Sequence, residues 1–531
     1  MQLYPTSNAV HVAIAGVAVM GAGLLLTQPA VLAWGGAMLV GLAVARAATL
    51  IGVSRVRAAG FEMLWRETGR ARRIARGQTL ELAAEVRNRD TRAAGYVALR
   101  AVASPYLDIE IAPTAGEVPA GGRLAVSIRV RGLRVGRHGV YGLSLEVRGS
   151  PGLFEIPLTF ANPFGIEVMP APYATLLQSA RGGRSRRLSE AGRTGPISGD
   201  GYELREIREH RAGDPLKRVA WKASARRGKL MVRDHEQEER DVVWLVLDAS
   251  VELWAGEPGS APLDHAIDEV AAVLSAHLGA ADQVGLIVCG GRVLSRVPPA
   301  RSPSHFAALM AALANGTSTL DADRSGLDAD DVAVRVLEHL RPLDPAAASG
   351  LGGHDREELV RRALGAAQRA PFPPLPAEGS DATDRALRGY LSAFGIPSPP
   401  KLERERPRTD ATLARALADL ALERPRPSLV YVWSPAPDPA RRAVVTDALA
   451  SHARRRVEFR WVRLRLAESM PRFTSEVGRA AAHAVALRAE TVESVGERAL
   501  RRMGVTIERI RPLSVARTAR TTSPDVKGGE P

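Results

Sequence analysis

The chain has 531 residues, a formal net charge of +14 and 45% apolar residues, enough for two or three domains with substantial cores. Its single cysteine, Cys289, excludes an internal disulfide and a zinc site built from several thiolates. One cysteine fits a reducing compartment, and a cysteine-poor periplasmic protein equally. The charge reads as nucleic-acid binding, an anionic membrane surface or high genomic G+C content; basic residues are nowhere interleaved with the stacking aromatics that single-stranded nucleic acid favours, so nucleic acid is not the expected partner.

Two apolar runs open the chain, Ala9 to Leu26 and Ala30 to Ala45, separated by Thr27-Gln28-Pro29. Each falls slightly short of the roughly 20 residues of a spanning helix, and neutral flanks extend both. Pro29 cannot continue the first helix, so a transmembrane helical hairpin is expected over residues 9–52. The opening MQLYPTSN lacks the basic stretch of a secretory signal. Arg46, Arg55, Arg57, Arg66 and Arg70 follow the second run. The positive-inside rule then places the later domains in the cytoplasm. The expected location is a bacterial cytoplasmic (inner) membrane, crossed twice.

Alternating segments follow at 79–88, 95–103, 107–113, 123–132, 139–149 and 154–162. Period-two alternation between turn residues predicts strands with one buried face. Their number and spacing predict an antiparallel β-sandwich over 60–170, immunoglobulin-like in size. The basic, glycine-containing stretch 181–193 reads as an exposed linker opening a connector over 181–240.

Within that connector, residues 198–240 read SGDGYELREIREHRAGDPLKRVAWKASARRGKLMVRDHEQEER. Leu204-Arg205-Glu206, Arg211-x-Gly213-Asp214, Arg218-x-x-Trp221-Lys222-x-Ser224-Ala225-Arg226 and Gly228-x-Leu230 resemble the signature of domain-of-unknown-function family 58. The resemblance implies two N-terminal spans, a β-sandwich, this signature and a von Willebrand factor A-like domain. It also implies partnership with a MoxR-type AAA+ ATPase and no established enzymatic activity. It assigns no role to Arg205, Asp214, Arg218, Trp221, Lys222 and Arg226. Two readings stand for them: Arg–Asp pairing that fixes the connector, or a phosphate- or peptide-binding surface.

From Asp241 the pattern changes to strands alternating with helices, which predicts a doubly wound α/β domain over 241–470. Strands are expected at 241–250, 284–291, 292–299, 428–435 and 457–466, and helices at 262–278, 304–314, 412–423 and 440–456. The resembled A-like domains hold Mg²⁺ through Asp-x-Ser-x-Ser after the first strand, with a Thr and an Asp from later loops, hard oxygen ligands suited to that ion. Here Asp248, Ser250 and Thr409 match, with Thr317 a rival for Thr409. Glu252 replaces the second Ser, and Ser434-Pro435 stands where the family has Ser-Asp. The expectation is a degenerate metal site, in which Glu252 either compensates for the lost acid or is a solvated side chain.

An insertion of about 316–408 holds helix-like pieces at 330–340, 356–368 and 384–394, joined by proline-rich segments. Two readings stand: a helical subdomain beside the ligand edge, or a partly disordered lid. Residues 471–531 are expected to form two helices, 475–488 and 491–503, and a disordered tail. The chain lacks the phosphate-loop, H-E-x-x-H and G-x-S-x-G patterns, and the expectation is a protein that is not an enzyme. The expected function is a membrane-tethered protein-interaction adaptor working with a MoxR-type AAA+ ATPase. The rival is a cryptic hydrolase or nucleic-acid-associated protein using the basic signature.

Overall fold

The structure, a computed structural model, describes residues 3–149, 151–171, 198–211, 214, 216–236, 241–344, 350–352, 354–402, 406–452, 457–464, 473 and 475–510. Strand β1 (Tyr4–Pro5) precedes helices α1 (Ser7–Leu25) and α2 (Pro29–Gly60). Then come β2 (Phe61–Trp65), β3 (Ala71–Ala75), β4 (Thr79–Asn88), β5 (Ala94–Ala103), β6 (Leu107–Ala112) and β7 (Gly116–Val118). They are followed by β8 (Arg123–Gly132), β9 (Gly136–Arg148), β10 (Phe154–Met169), β11 (Ser198–Glu209), α3 (Trp221–Arg227) and β12 (Met231–Glu236). The α/β region begins with β13 (Val242–Asp248), α4 (Pro262–Gly279), β14 (Gln283–Cys289), β15 (Val293–Ala300) and α5 (Pro303–Gly316). Next are α6 (Ala329–Leu343), α7 (Arg356–Ala366), α8 (Ala382–Phe394) and α9 (Arg406–Leu420). The chain closes with β16 (Leu429–Trp433), α10 (Ala443–Ala450), β17 (Glu458–Val462), α11 (Glu476–Arg502) and β18 (Thr506–Glu508). Two compact units result, Met1–Pro170 with Thr317–Arg404, and Ala171–Gly316 with Glu405–Pro531.

In the first unit α1 and α2 are both long and apolar enough to cross a membrane. They meet through glycine: a Cβ on Gly35 would lie 2.5 Å from the Met20 nitrogen, and one on Gly23 2.4 Å from the Leu32 nitrogen. Small residues permitting such close backbone approach are typical of helix contacts inside lipid. Ile14, Val17, Trp34, Val40 and Ile51 stay exposed around the pair. The second helix runs well past the expected end of the hairpin at residue 52. No proline interrupts 46–59, so the helix continues and buries Val53 and Val56 in the sandwich core. Arg55 pairs there with Asp90 at 3.3 Å.

The six expected strands form, joined by β1, β2, β3 and β7, which are too short to read from alternation. One sheet has the order β1-β10-β9-β5-β7, with β3 parallel to β10; the other is β2-β4-β8-β6. Val86, Ile128 and Val130 of the second sheet share a fully buried core with Leu143, Leu145 and Ile156 of the first. Burial of this kind stabilises by about 25 cal/mol per Å² of apolar surface.

The insertion forms helices α6, α7 and α8, around Val332, Val336, Leu359, Leu387 and Phe394. Residues 317–404 cluster with the sandwich in the first unit. The apolar stripes of the helices close on Tyr141 and Ala161 of the sandwich. Tyr141 donates its hydroxyl to the Gly395 carbonyl at 2.9 Å, and Arg137 donates to the Pro373 carbonyl at 2.7 Å. Gly395 ends α8 at φ +65°, within backbone distance of His138 and Gly139, where a side chain does not fit.

In the second unit the sheet order is β15-β14-β13-β16-β17-β18, parallel throughout except for β15. Val242, Trp244 and Val246 pack with Leu413 and Leu417 of α9, Leu449 of α10 and Leu500 of α11. The other face carries α4, whose Glu269 accepts a hydrogen bond from the Trp433 indole at 3.2 Å. Strand order reverses between β13 and β16, and such a switch point opens a crevice at the carboxyl ends of the strands. Several boundaries differ from expectation, among them that of α10, which starts at Ala443 rather than 440. Helix α9 starts at Arg406 rather than 412, and the two C-terminal helices are one, α11, because the joint at 489–490 holds neither glycine nor proline. The expected linker at 181–193 and the tail beyond 510 lie outside the described residues.

Candidate functional site

Asp248 ends β13 at the switch point and is fully buried. Its Oδ1 accepts the Ser250 backbone N–H at 3.0 Å. Its Oδ2 accepts from the Ser434 hydroxyl at 2.8 Å and from the Arg406 guanidinium at 2.6 Å. The same guanidinium donates to Ser250 Oγ at 3.0 Å and to Glu252 Oε2 at 2.8 Å. Arg442 closes the cluster from α10's N-terminal end, reaching both oxygens of Asp410 at 2.6–3.0 Å and Ser434 Oγ at 3.2 Å. Thus two arginines pair with three carboxylates at the end of the sheet.

The electrostatics follow from this geometry. Burial pushes the Asp248 carboxyl up, but Arg406 and Arg442, with hydrogen bonds from Ser434 and Arg406, outweigh it and hold it below the ordinary value. Burial likewise penalises the Arg406 charge, and Asp248 and Glu252 more than restore it.

Of the expected metal ligands, Asp248 and Ser250 do come together, and both touch Arg406. Thr409 is buried on α9 in the same unit, whereas Thr317 falls in the sandwich unit. Thr409 makes no hydrogen bond to the cluster among the described residues, and Ser434 acts as a donor to Asp248. Glu252 sits on the guanidinium, and its other oxygen, Oε1, is buried without a hydrogen-bond partner. Among the described residues no group of three His, Cys, Asp or Glu is placed to hold a metal. The donor set therefore does not fit a hard divalent cation, because an arginine of the chain stands among the oxygens that such an ion needs. Cys289, at the neighbouring strand end, is buried, and burial pushes its thiol up. That disfavours the reactive thiolate.

The signature folds into a hairpin, β11 against β12, with α3 on the excursion between them. Ser224 donates to the Ala220 carbonyl at 3.1 Å and accepts the Met231 N–H at 2.8 Å. Gly228 ends the helix at φ +65°. Asp214 accepts two hydrogen bonds from Arg208 at 2.7 and 2.9 Å and the Arg211 N–H at 2.8 Å. These bonds, first of all Arg208's, hold its carboxyl well below the usual range. Arg–Asp pairing was one of the two readings of the signature, but its arginine, Arg208, was not among the residues singled out. The side chains of Arg205 and Arg218 lie outside what the structure describes. Trp221 is 67% exposed, and Lys222 and Arg226 are exposed beside it on α3, which buries no residue. Leu216 and Leu230 on the same excursion are exposed as well.

Comparison with known proteins bears on the signature and the start of the α/β region. The chain is 28% identical over 158 residues to the uncharacterized protein Rv1480 of Mycobacterium tuberculosis, and equally to the uncharacterized protein Mb1516 of Mycobacterium bovis. Each match covers 30% of this chain, which spans about half the length of these relatives (50%). Among solved structures, a PapD-like domain of human CEP192 aligns at 17% identity over 21% of this chain and 87% of that one, with a TM-score of 0.17. WR4, a C. elegans MSP family member, aligns at 8% identity over 20% and 96%, with a TM-score of 0.15. Scores this low do not establish a shared fold. The family model described as protein of unknown function DUF58 matches residues 206–342, which begin inside the hairpin around Trp221, and over this stretch the chain is similar to that family.

Proposed function

We propose that this chain is a membrane-tethered protein-interaction adaptor, without catalytic activity of its own, that docks a protein partner on the hairpin around Trp221. The observation that carries this reading is the exposure of Trp221, 67%, on a short helix that buries nothing. A large indole held in water on a hydrogen-bonded scaffold is the kind of side chain that dominates binding energy once a partner covers it. Lys222, Arg226 and Arg227 beside it favour an acidic rim on that partner.

The family resemblance points to a MoxR-type AAA+ ATPase as the partner and to a von Willebrand factor A-like reading of the α/β unit. The number and spacing of its strands support an immunoglobulin-like reading of the sandwich. The two glycine-paired helices are read as spans of a bacterial inner membrane. The arginines following them set the soluble units on the cytoplasmic side.

The test is recovery of partners from membranes by the tagged full chain. An AAA+ ATPase should co-purify with the wild type and be lost with Trp221→Ala, while Glu252→Gln retains it. Nucleic acid recovered instead, with a steep salt dependence, would support the rival reading of the basic signature.

A further inference from the structure

The inserted helices flank a half-open cavity of about 490 Å³ between α7, α8 and the proline-rich segment 372–377. Its walls are apolar, among them Phe372, Leu375, Ala363, Leu387 and Tyr390. The Tyr390 hydroxyl is already engaged with His339 Nδ1 at 3.0 Å. Such a cavity favours hydrocarbon, because apart from Arg385 its lining side chains offer little to satisfy buried hydrogen-bonding groups. Its size falls within the roughly 300–1,000 Å³ of pockets that take small ligands.

The chamber is also held open from outside. The Phe372 N–H donates to the Ala393 carbonyl at 3.1 Å and the Leu375 N–H to Ser392 Oγ at 2.8 Å. Arg137 of the sandwich grips the Pro373 carbonyl from beyond the wall. Proline adds stiffness to this segment, so little ordering remains to oppose binding.

Two arginines one turn apart on α8 behave differently. Arg388 is buried, bonded to Asp384 at 3.0 Å and to the Leu320 and Leu327 carbonyls. Arg385 is exposed and belongs to the cavity lining. Among the described residues no carboxylate pairs with its guanidinium, whose one hydrogen-bonding contact is a long 3.5 Å approach to the Gly379 carbonyl. From an apolar chamber with a single uncompensated guanidinium in its lining, we infer that the insertion binds an acyl chain carrying an anionic head. The chain occupies the cavity and the head rests on Arg385. A free long-chain carboxylate and an acidic phospholipid both present this chemistry.

The test uses the full chain in phosphatidylcholine nanodiscs and dansyl-labelled undecanoic acid as the probe. Fluorescence should rise saturably above that of empty nanodiscs. Arg385→Ala should weaken the affinity about tenfold. Ala386→Phe, which fills the chamber, should abolish saturation. The methyl ester of the probe should bind the wild type about as weakly as the acid binds Arg385→Ala. Displacement by unlabelled palmitate alone identifies the free acid as the source; displacement by added phosphatidylglycerol identifies the lipid. No saturation above empty nanodiscs, or equal affinity in the wild type and both variants, would overturn the inference.

Discussion

The end of the α/β sheet and the excursion around Trp221 are both rich in arginine and acid, yet they resolve their charges in opposite ways. At the sheet end every carboxylate finds a guanidinium of the same chain, and Asp248 is sealed from solvent. On the excursion, Asp214 and Arg208 pair within the scaffold, while the indole and the cations of α3 stay in water. A charge cluster that satisfies itself is a structural joint; a surface left unsatisfied is where binding energy is still available.

The largest expected effect separates the two regions by stability. Asp248→Ala leaves Arg406 facing fewer acceptors and Ser434 without one, and should cost about 3–5 kcal/mol. In the same denaturant titration Trp221→Ala should stay within about 0.5 kcal/mol of wild type. Similar losses for both would erase the distinction.

Acid separates two other regions. Burial holds His339 neutral in the folded state down to about 4, against 6.5 ordinarily. Between those values the unfolded chain takes up a proton that the folded chain refuses. The stability of the inserted helices is therefore complete above about pH 6.5 and falls as the pH drops toward 4, by up to about 3 kcal/mol. Asp248, held below its ordinary 3.8, keeps its contribution above that value and loses it only in stronger acid. Hydrogen exchange should thus show α6–α8 opening at higher pH than β13, and His339→Phe should remove the earlier step.

The smallest expected change lies in the apolar helix pair α1 and α2. Gly35→Leu drives a side chain against the Met20 backbone and should separate α1 from α2 without unfolding the sandwich. Crosslinking across the helix pair should fall while the sandwich keeps its protease resistance.

Much of this was legible in the sequence because it rests on short-range pattern. Alternation marked the strands from 79 to 132 almost to the residue, since one face of each is buried. Asp248 and Ser250 were legible from their place after an apolar strand. Arg406 was not: it sits in KLERERPRTD, which reads as a charged joint between helices. Only the fold carries it across the sheet end to Asp248. The one available signal was indirect, since acids gathered at a strand end without a full ligand set call for a cation from elsewhere. The insertion's destination was equally hidden, because amphipathic helices declare that they have a core face and not which core it meets.

Arg406 occupies, among the oxygens of Asp248, Ser250 and Glu252, the place a divalent ion would need. Calorimetric titration of Mg²⁺ and Mn²⁺ into the full chain tests it most directly. The wild type should take up neither ion, and Arg406→Ala, which frees the oxygens of Asp248, Ser250 and Glu252, should gain measurable binding. Tight binding by the wild type, abolished in Asp248→Ala, would contradict it.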